Sequence, residues 1–388
     1  MKRALAIVDF EPSRRGGHFR EWSAIIARAA SQCVDCIGVY VADFDSIPIE
    51  ISDTSYDPKT TADIFFFDLE TVLPAHLKCA PNASRLTYIV NHLVNCSRCE
   101  DAAAFVLWAF DLSMQNIPST VPWGGIGVLS AWARNVSTDS TQLESDLYSF
   151  AGNDEHCRVL LVWDKFVSEM DLISRDSRPS DAKCKVRYLP DMEDVAVSPC
   201  DYAPRTGPLA VGLVGVLWGY RGVDLLAGIL EHNEDIQGLL AGQLKLETYS
   251  ILAADLLAKG RIRLGQTEKR MSNAEFNQAI AELDALVLDA RSYPPPSGVA
   301  LRALAYGRCL IASEGPSWTN DVIARYQCGL IVDPLRLDGL SERVRLFYES
   351  GGSERCIRAA RDLMGQDEFD KCVGQALDRL FAFDSERI

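Results

Sequence analysis

Apolar residues in this chain fall into short unbroken runs, separated by stretches in which they recur every three or four positions. Leu5 to Phe10, Ile37 to Val41 and Ile64 to Phe67 are runs of the first kind. A run without alternation predicts a parallel strand covered on both faces. Helical spacing extends from about Phe19 to Ser31, and an amphipathic segment surrounds Leu86 to Val94. Ala103 to Asp111, a glycine-rich strand near Gly124 to Leu129, the strand-to-helix pair Val159–Trp163 and Lys165–Ser168, and Lys185–Pro190 continue the series. Strands alternating with helices predict a parallel sheet.

The polar, proline-bearing stretch Asp191 to Pro208 breaks the pattern and has the composition of a linker. Beyond it the alternation resumes. Leu209 to Leu217 reads as a strand and Val223 to Leu230 as a helix. Short apolar strands are expected at Leu239–Ala241, Ile262–Leu264, Ala285–Leu288, Cys309–Ala312 and Leu330–Val332. In the tail, Phe369, Cys372, Val373, Ala376, Leu377, Leu380 and Phe381 share one helical face. Periodicity leaves open whether that face packs on its own domain or on the amino-terminal one. The expectation is an α/β protein with two Rossmann-like domains, residues 1–200 and 207–365, followed by a terminal helix in 366–388.

Composition fits two cores, because 388 residues exceed what one hydrophobic core usually organises and 48% of them are hydrophobic. With 54 acidic against 39 basic residues, the formal charge of -15 disfavours broad nucleic-acid binding or adhesion to anionic lipid, local basic patches aside. The apolar stretch after Met1-Lys2-Arg3 is too short for a signal peptide and is interrupted by Asp9. No stretch approaches 18 apolar residues, so a cytoplasmic protein is expected, with peripheral contact to the inner face of a membrane left open. The 12 cysteines are scattered. Two CxxC pairs, Cys33/Cys36 and Cys96/Cys99, lie much farther apart than the halves of a zinc ribbon, so neither metal nor cofactor is expected.

Two loops carry candidate chemistry. After the strand at Leu209 comes Trp218-Gly219-Tyr220-Arg221-Gly222, and later Ser297-Gly298-Val299 opens a helix that runs through Arg302 to Gly307. Glycines permit positive φ and close ligand approach, a helix start offers unpaired N–H groups, and Arg221 adds a charged fork suited to phosphate oxygens. A pyrophosphate-linked ligand fits that combination, and so does a plain βα turn with a solvated arginine; it is neither a P-loop nor a Rossmann fingerprint. In the amino-terminal half, Arg14-Arg15-Gly16-Gly17-His18-Phe19-Arg20 follows the first strand. This basic loop reads either as a site for a phosphate-bearing acceptor or as a solvated turn. Of the five histidines His18 alone sits in such a loop. Asp111, at the end of its apolar run, is a candidate for orienting substrate hydroxyls or a capping aspartate.

The order and spacing of these segments resemble the GT-B glycosyltransferases, specifically the retaining glycosyl transferases group 1. The resemblance implies two facing domains, a nucleotide-diphosphate sugar donor, and a glycan, lipid-linked or small-molecule acceptor, as in polysaccharide biosynthesis. It also implies a terminal helix that crosses back onto the amino-terminal domain, and no tightly bound ion. By this resemblance Gly16, Gly17, Gly219, Arg221, Ser297, Gly298, Val299 and Arg302 form the donor and phosphate site, with Asp111 and His18 on the reacting side. The chain departs from the family where two glutamates with seven residues between them, one near the donor sugar and one on the nucleotide ribose, are replaced by Pro294 and Arg302, and where a phosphate-gripping arginine is replaced by Val216. Transfer that depends on stabilising a departing diphosphate survives such losses; Arg302 then pairs with a phosphate, and Asp289 or Glu314 stands in for the lost acid. A noncatalytic relative that binds a partner or senses a ligand is the alternative, with a nucleotide-sugar epimerase a distant third.

Overall fold

In a computed structural model of the protein, the described residues are 2–10, 19–41, 62–113, 117–127, 147, 150–163, 185–190, 207–215, 222–242, 251–265, 271–289 and 297–382. Their contacts separate into two units, and the last helix groups with the first of them.

The first unit contains β1 (Arg3–Asp9), α1 (Phe19–Ala30), β2 (Cys36–Val41), β3 (Asp63–Asp68), α2 (Leu69–Val72), α3 (Ala75–Lys78), α4 (Asn82–Ser97), β4 (Asp101–Val106), α5 (Phe110–Ser113), β5 (Trp123–Gly127), β6 (Cys157–Val162) and β7 (Lys185–Tyr188). The strands form one parallel sheet in the order β3-β2-β1-β4-β5-β6-β7. Its centre is apolar on both faces: Ala4 to Val8 of β1 and Ala104 to Val106 of β4 have no exposed surface. α4 packs across β1, β2 and β4 and buries Leu86, Ile89 and Leu93.

The second unit contains β8 (Leu209–Val214), α6 (Val223–His232), β9 (Ile236–Ala241), α7 (Ile251–Ala258), β10 (Ile262–Leu264), α8 (Asn273–Ala281), β11 (Ala285–Leu288), α9 (Gly298–Ala305), β12 (Cys309–Ser313), α10 (Trp318–Tyr326), β13 (Gly329–Val332), α11 (Leu340–Glu349) and α12 (Gly352–Leu363). Its six parallel strands run β10-β9-β8-β11-β12-β13. In each sheet the strand order reverses once, between β1 and β4 and between β8 and β11, and ligands of open α/β sheets gather at the carboxyl ends of strands beside such a reversal.

α13 (Gln366–Leu380) follows the second unit in sequence but packs on the first, against α1 and strands β5 to β7. Phe369, Val373, Ala376, Leu377 and Leu380 are all 2% exposed or less, and each buried large side chain of this kind stabilises by about 1.5–3 kcal/mol. A Cβ on Gly124 of β5 would sit 2.7 Å from Val159 Cγ1 of the neighbouring strand, and Leu380 Cδ1 of the helix lies 3.9 Å from that position. The Arg3 guanidinium stacks 5.3 Å from the Phe381 ring centroid.

The structure departs from the sequence reading at several boundaries. The apolar run Ala103–Asp111 is not one strand: β4 ends at Val106, and Asp111 lies in the short helix α5. The run stays apolar through the turn because the turn is itself buried, with Leu107 4% and Ala109 0% exposed. β8 ends at Val214, before Gly215. β9 starts three residues earlier than expected, at Ile236. Among the described residues no helix is long and apolar enough to cross a membrane, and no group of three or more His, Cys, Asp or Glu side chains is arranged to hold a metal ion.

Candidate functional site

The carboxyl edge of the second sheet is built from bare backbone. Gly215, just after β8, has φ +118°, and Gly242, just after β9, has φ +124°. The Gly215 N–H donates to the Ala241 carbonyl at 2.9 Å. A Cβ on Gly242 would sit 1.9 Å from the Gly215 carbonyl oxygen, so only glycine fits. Gly222, the N-cap of α6, has φ +94°, and its Cβ position lies 3.4 Å from the Asp289 amide nitrogen and 3.5 Å from Asp289 Cβ. Gly215 and Gly222 therefore bracket the β8–α6 loop at the strand-order reversal. Val216, Gly219 and Arg221 within that loop lie outside the described residues, as do Gly16, Gly17, His18 and Pro294.

α9 starts beside this edge. Ser297 caps it, its hydroxyl accepting from the Ala300 N–H at 3.4 Å, and Gly298 and Val299 form its first turn. A helix start leaves its first N–H groups without intrahelical acceptors and carries a partial positive charge. Val299 Cγ2 lies 3.6 Å, and Phe276 Cε2 3.8 Å, from the Cβ position of Gly215, so the helix start and the end of β8 are in contact. Arg302, one turn along, is 5% exposed; its guanidinium stacks 4.8 Å from the Phe276 ring centroid, and Nη1 donates to Asn277 Oδ1 at 3.4 Å.

The strand next to β11 extends the rim. Ser313 Oγ at the end of β12 donates to Asp289 Oδ1 at 2.7 Å, and Asn320 Nδ2 donates to the carbonyls of Ser313, at 3.0 Å, and Gly315. The Glu314 N–H joins the Val332 carbonyl at 2.9 Å, while its side chain is exposed. Asp289 is thereby placed between Gly222 and Ser313, and the Glu314 side chain is exposed to solvent. The sequence reading missed Ser313 and Asn320; the hint available was Ser313-Glu314-Gly315 directly after an apolar strand.

In the first unit, Asp111 is 8% exposed, at the carboxyl edge between β1 and β4. Its carbonyl accepts from Asn82 Nδ2 at 2.8 Å, and Arg85 Nη1 in turn donates to Asn82 Oδ1 at 2.9 Å. The Arg85 guanidinium stacks 5.0 Å from the Phe10 ring centroid. Asn82 opens α4 straight after Pro81, a helix-start signal that the sequence reading passed over. Of the CxxC cysteines, Cys36 and Cys99 are buried, Cys33 is half-buried and Cys96 is exposed. Burial, with Cys99 nearby, pushes the Cys36 thiol up to about 11, so it is protonated at neutral pH.

No protein-family model and no curated protein matches the sequence. Solved structures do resemble its fold. The sucrose-phosphate synthase of Thermosynechococcus elongatus superposes with a TM-score of 0.61 at 12% identity, covering 98% of this chain and 99% of that one. HepE of Anabaena in complex with UDP gives 0.64 at 13% identity, covering 97% of this chain and 100% of that one; the same protein has also been solved with UDP-glucose. WaaG, a glycosyltransferase involved in lipopolysaccharide biosynthesis, gives 0.59 at 13% identity, covering 98% and 100%. Identities this low speak to architecture. Two parallel α/β sheets of seven and six strands, matched over nearly the full length of these neighbours, give the chain the GT-B fold.

Proposed function

We propose that the chain is a glycosyltransferase that moves a hexosyl group from a nucleotide-diphosphate sugar to a glycan, lipid-linked or small-molecule acceptor, with retention at the anomeric carbon. The observation that carries this reading is the carboxyl edge of the second sheet, where Gly215, at positive φ, meets the capped start of α9 at Val299, and Gly222, also at positive φ, lies against Asp289. Backbone N–H groups and a helix dipole stabilise a diphosphate as the bond between its oxygen and the anomeric carbon breaks. In this reading Gly219, Arg221, Ser297, Gly298 and Val299 hold the diphosphate. Gly16 and Gly17 serve the donor as well, and His18 and Asp111 serve the reacting hydroxyls. HepE bound to UDP and UDP-glucose supports a nucleotide-sugar donor.

The test is binding followed by turnover. A UDP, GDP or ADP sugar present at 100 times its Kd should stabilise the protein by about 2.7 kcal/mol, seen as a rise in melting temperature. Arg221→Ala should lower transfer by roughly 10²-fold or more. No stabilisation by any nucleotide sugar would overturn the reading.

One observation favours a second reading, a noncatalytic subunit that binds a partner or ligand. Arg302, at the position where the resemblance places the ribose-binding acid, is buried against Phe276 and joined to Asn277. A guanidinium held by its own unit does not replace a carboxylate that accepts from ribose hydroxyls. Nucleotide binding without turnover on any acceptor would select this alternative.

A further inference from the structure

The rim at the end of the second sheet holds an unanswered acceptor. Asn320 is 9% exposed, and both hydrogens of its amide group face the β12–α10 loop, donating to the carbonyls of Ser313 and Gly315. That arrangement fixes which end of the amide is oxygen, because the nitrogen must face the two carbonyls. The oxygen, Oδ1, is buried and has no hydrogen-bond partner. A buried acceptor without a donor is uncommon in a folded protein and marks a place where a ligand or water hydrogen belongs.

Its position says which ligand. Asn320 lies in the first turn of α10, whose cap is Ser317, with the Asn320 N–H donating to Ser317 Oγ at 3.1 Å. The first N–H groups of any helix lack intrahelical acceptors. An open acceptor and helix-start donors therefore stand together. The site is also contiguous with the phosphate-type edge: the Cβ position of Gly222 is 3.5 Å from Asp289 Cβ, Asp289 accepts from Ser313, and the Ser313 carbonyl accepts from Asn320. Along this path the rim changes chemistry. The start of α9 beside Gly215 offers backbone donors, which suit phosphoryl oxygens; the Asn320 region offers an unanswered acceptor as well. A diphosphate at neutral pH has no hydrogen to give to an amide oxygen, whereas a hydroxyl gives one and accepts another.

We propose that Asn320, backed by Ser313 and Asp289, forms a hydroxyl-binding subsite that takes one hydroxyl of the donor's sugar ring. The inference rests on the second unit being a nucleotide-sugar site and adds the residue that distinguishes the sugar from the nucleotide. Asn320 is here a specificity determinant for the glycosyl group, and its effect falls on nucleotide sugars alone.

Calorimetric titration of the full chain with UDP, GDP and ADP, and with the glucose conjugate of each, tests it. Asn320→Ala should weaken the best nucleotide sugar about tenfold and leave the matching nucleoside diphosphate unchanged. One monodeoxy form of that sugar should bind the unaltered protein about tenfold more weakly than the parent, and should lose nothing further on Asn320→Ala, because both changes remove the same bond. Equal weakening of nucleotide and nucleotide sugar, no weakening of either, or additive losses would overturn the subsite while leaving the second unit's reading as a nucleotide-sugar site in place. If Asn320→Ala does not fold, the deoxy series on the unaltered protein decides: a tenfold loss for one analogue supports the subsite, and equal binding of all overturns it. If the unaltered protein binds none of the six ligands, the donor reading falls and the subsite with it.

Discussion

The two ends of the second sheet are built on opposite principles. At the amino end side chains stitch the strands together. Asp284, fully buried, accepts from the Ala210 N–H, and the Tyr348 hydroxyl donates to the Asp284 carbonyl while accepting from the Cys309 N–H at 2.9 Å. Arg261 Nη2 donates to the carbonyls of Leu230, Asn233 and Ile236 at 2.8–3.0 Å, and the Asn233 side chain ties Ile229 and Leu337 to the Leu340 N–H. Backbone groups that end strands and helices are thereby satisfied within the protein. At the carboxyl end glycines follow β8 and β9, and beside the bonds of Ser313, Asp289 and the Asn320 amide nitrogen the Asn320 oxygen is left without a donor. The first end holds the unit together, and the second is spare enough to receive something. Asp154 plays the stitching part in the first unit, accepting from Trp123 Nε1 at 2.9 Å, the Ser119 N–H at 3.0 Å and the His156 N–H at 2.9 Å.

Substitutions can break this contrast. The largest effect is expected from Gly242→Ala, which forces a Cβ against the Gly215 carbonyl at a positive φ; it should destabilise the second unit by about 3 kcal/mol or more in urea unfolding. A loss below 1 kcal/mol would mean that the carboxyl edge yields easily. Tyr348→Phe removes the hydroxyl shared by Cys309 and Asp284 and should cost about 2 kcal/mol, with nucleotide affinity unchanged because it acts at the far end. Altered affinity would show that the two ends are coupled. Ser297→Ala should cost about 1 kcal/mol by uncapping α9 and should also weaken nucleotide binding, so calorimetry and unfolding must both register it.

The smallest effect at neutral pH comes from the thiols of the amino end. Cys356 Sγ donates to the carbonyls of Arg308 and Cys328 at 3.3 Å. Burial raises the Cys309 and Cys356 thiols well above the ordinary value and pushes Cys328 up to about 12 from 9.0. A folded pKa above the unfolded one favours folding while both states stay protonated. This contribution is therefore complete below pH 9 and is lost as pH rises from there through about 12. Unfolding free energies should be flat from pH 7 to 8.5 on account of these groups and fall above pH 9; a fall beginning near pH 8 would assign the loss to other residues.

Much of the architecture was legible because burial on both faces demands a run such as Ala4-Leu5-Ala6-Ile7-Val8 or Ala285-Leu286-Val287, and helices cannot produce that pattern so briefly between turns. The resemblance to GT-B proteins was legible for a related reason: glycines at strand ends are demanded by backbone geometry, which Gly215 displays at φ +118°. What stayed hidden depends on partners far along the chain. Asn82 reaches the carbonyl of Asp111 across 29 residues, and Arg302 meets Phe276 from a different helix. No local spacing encodes either meeting. The setting of Asp111 was misread for the opposite reason, since the buried turn before it keeps the apolar pattern of a strand.

The placement of α13 has a bearing on how the molecule is made. Its apolar stripe covers α1 and strands β5 to β7, yet the ribosome delivers it only after all the other described helices and strands have emerged. Until then the nascent amino-terminal half carries a greasy flank with no cover, the situation in which chaperones are recruited and premature termination yields insoluble product. A chain cut before Gln366 should therefore give inclusion bodies rather than a soluble protein lacking only this helix.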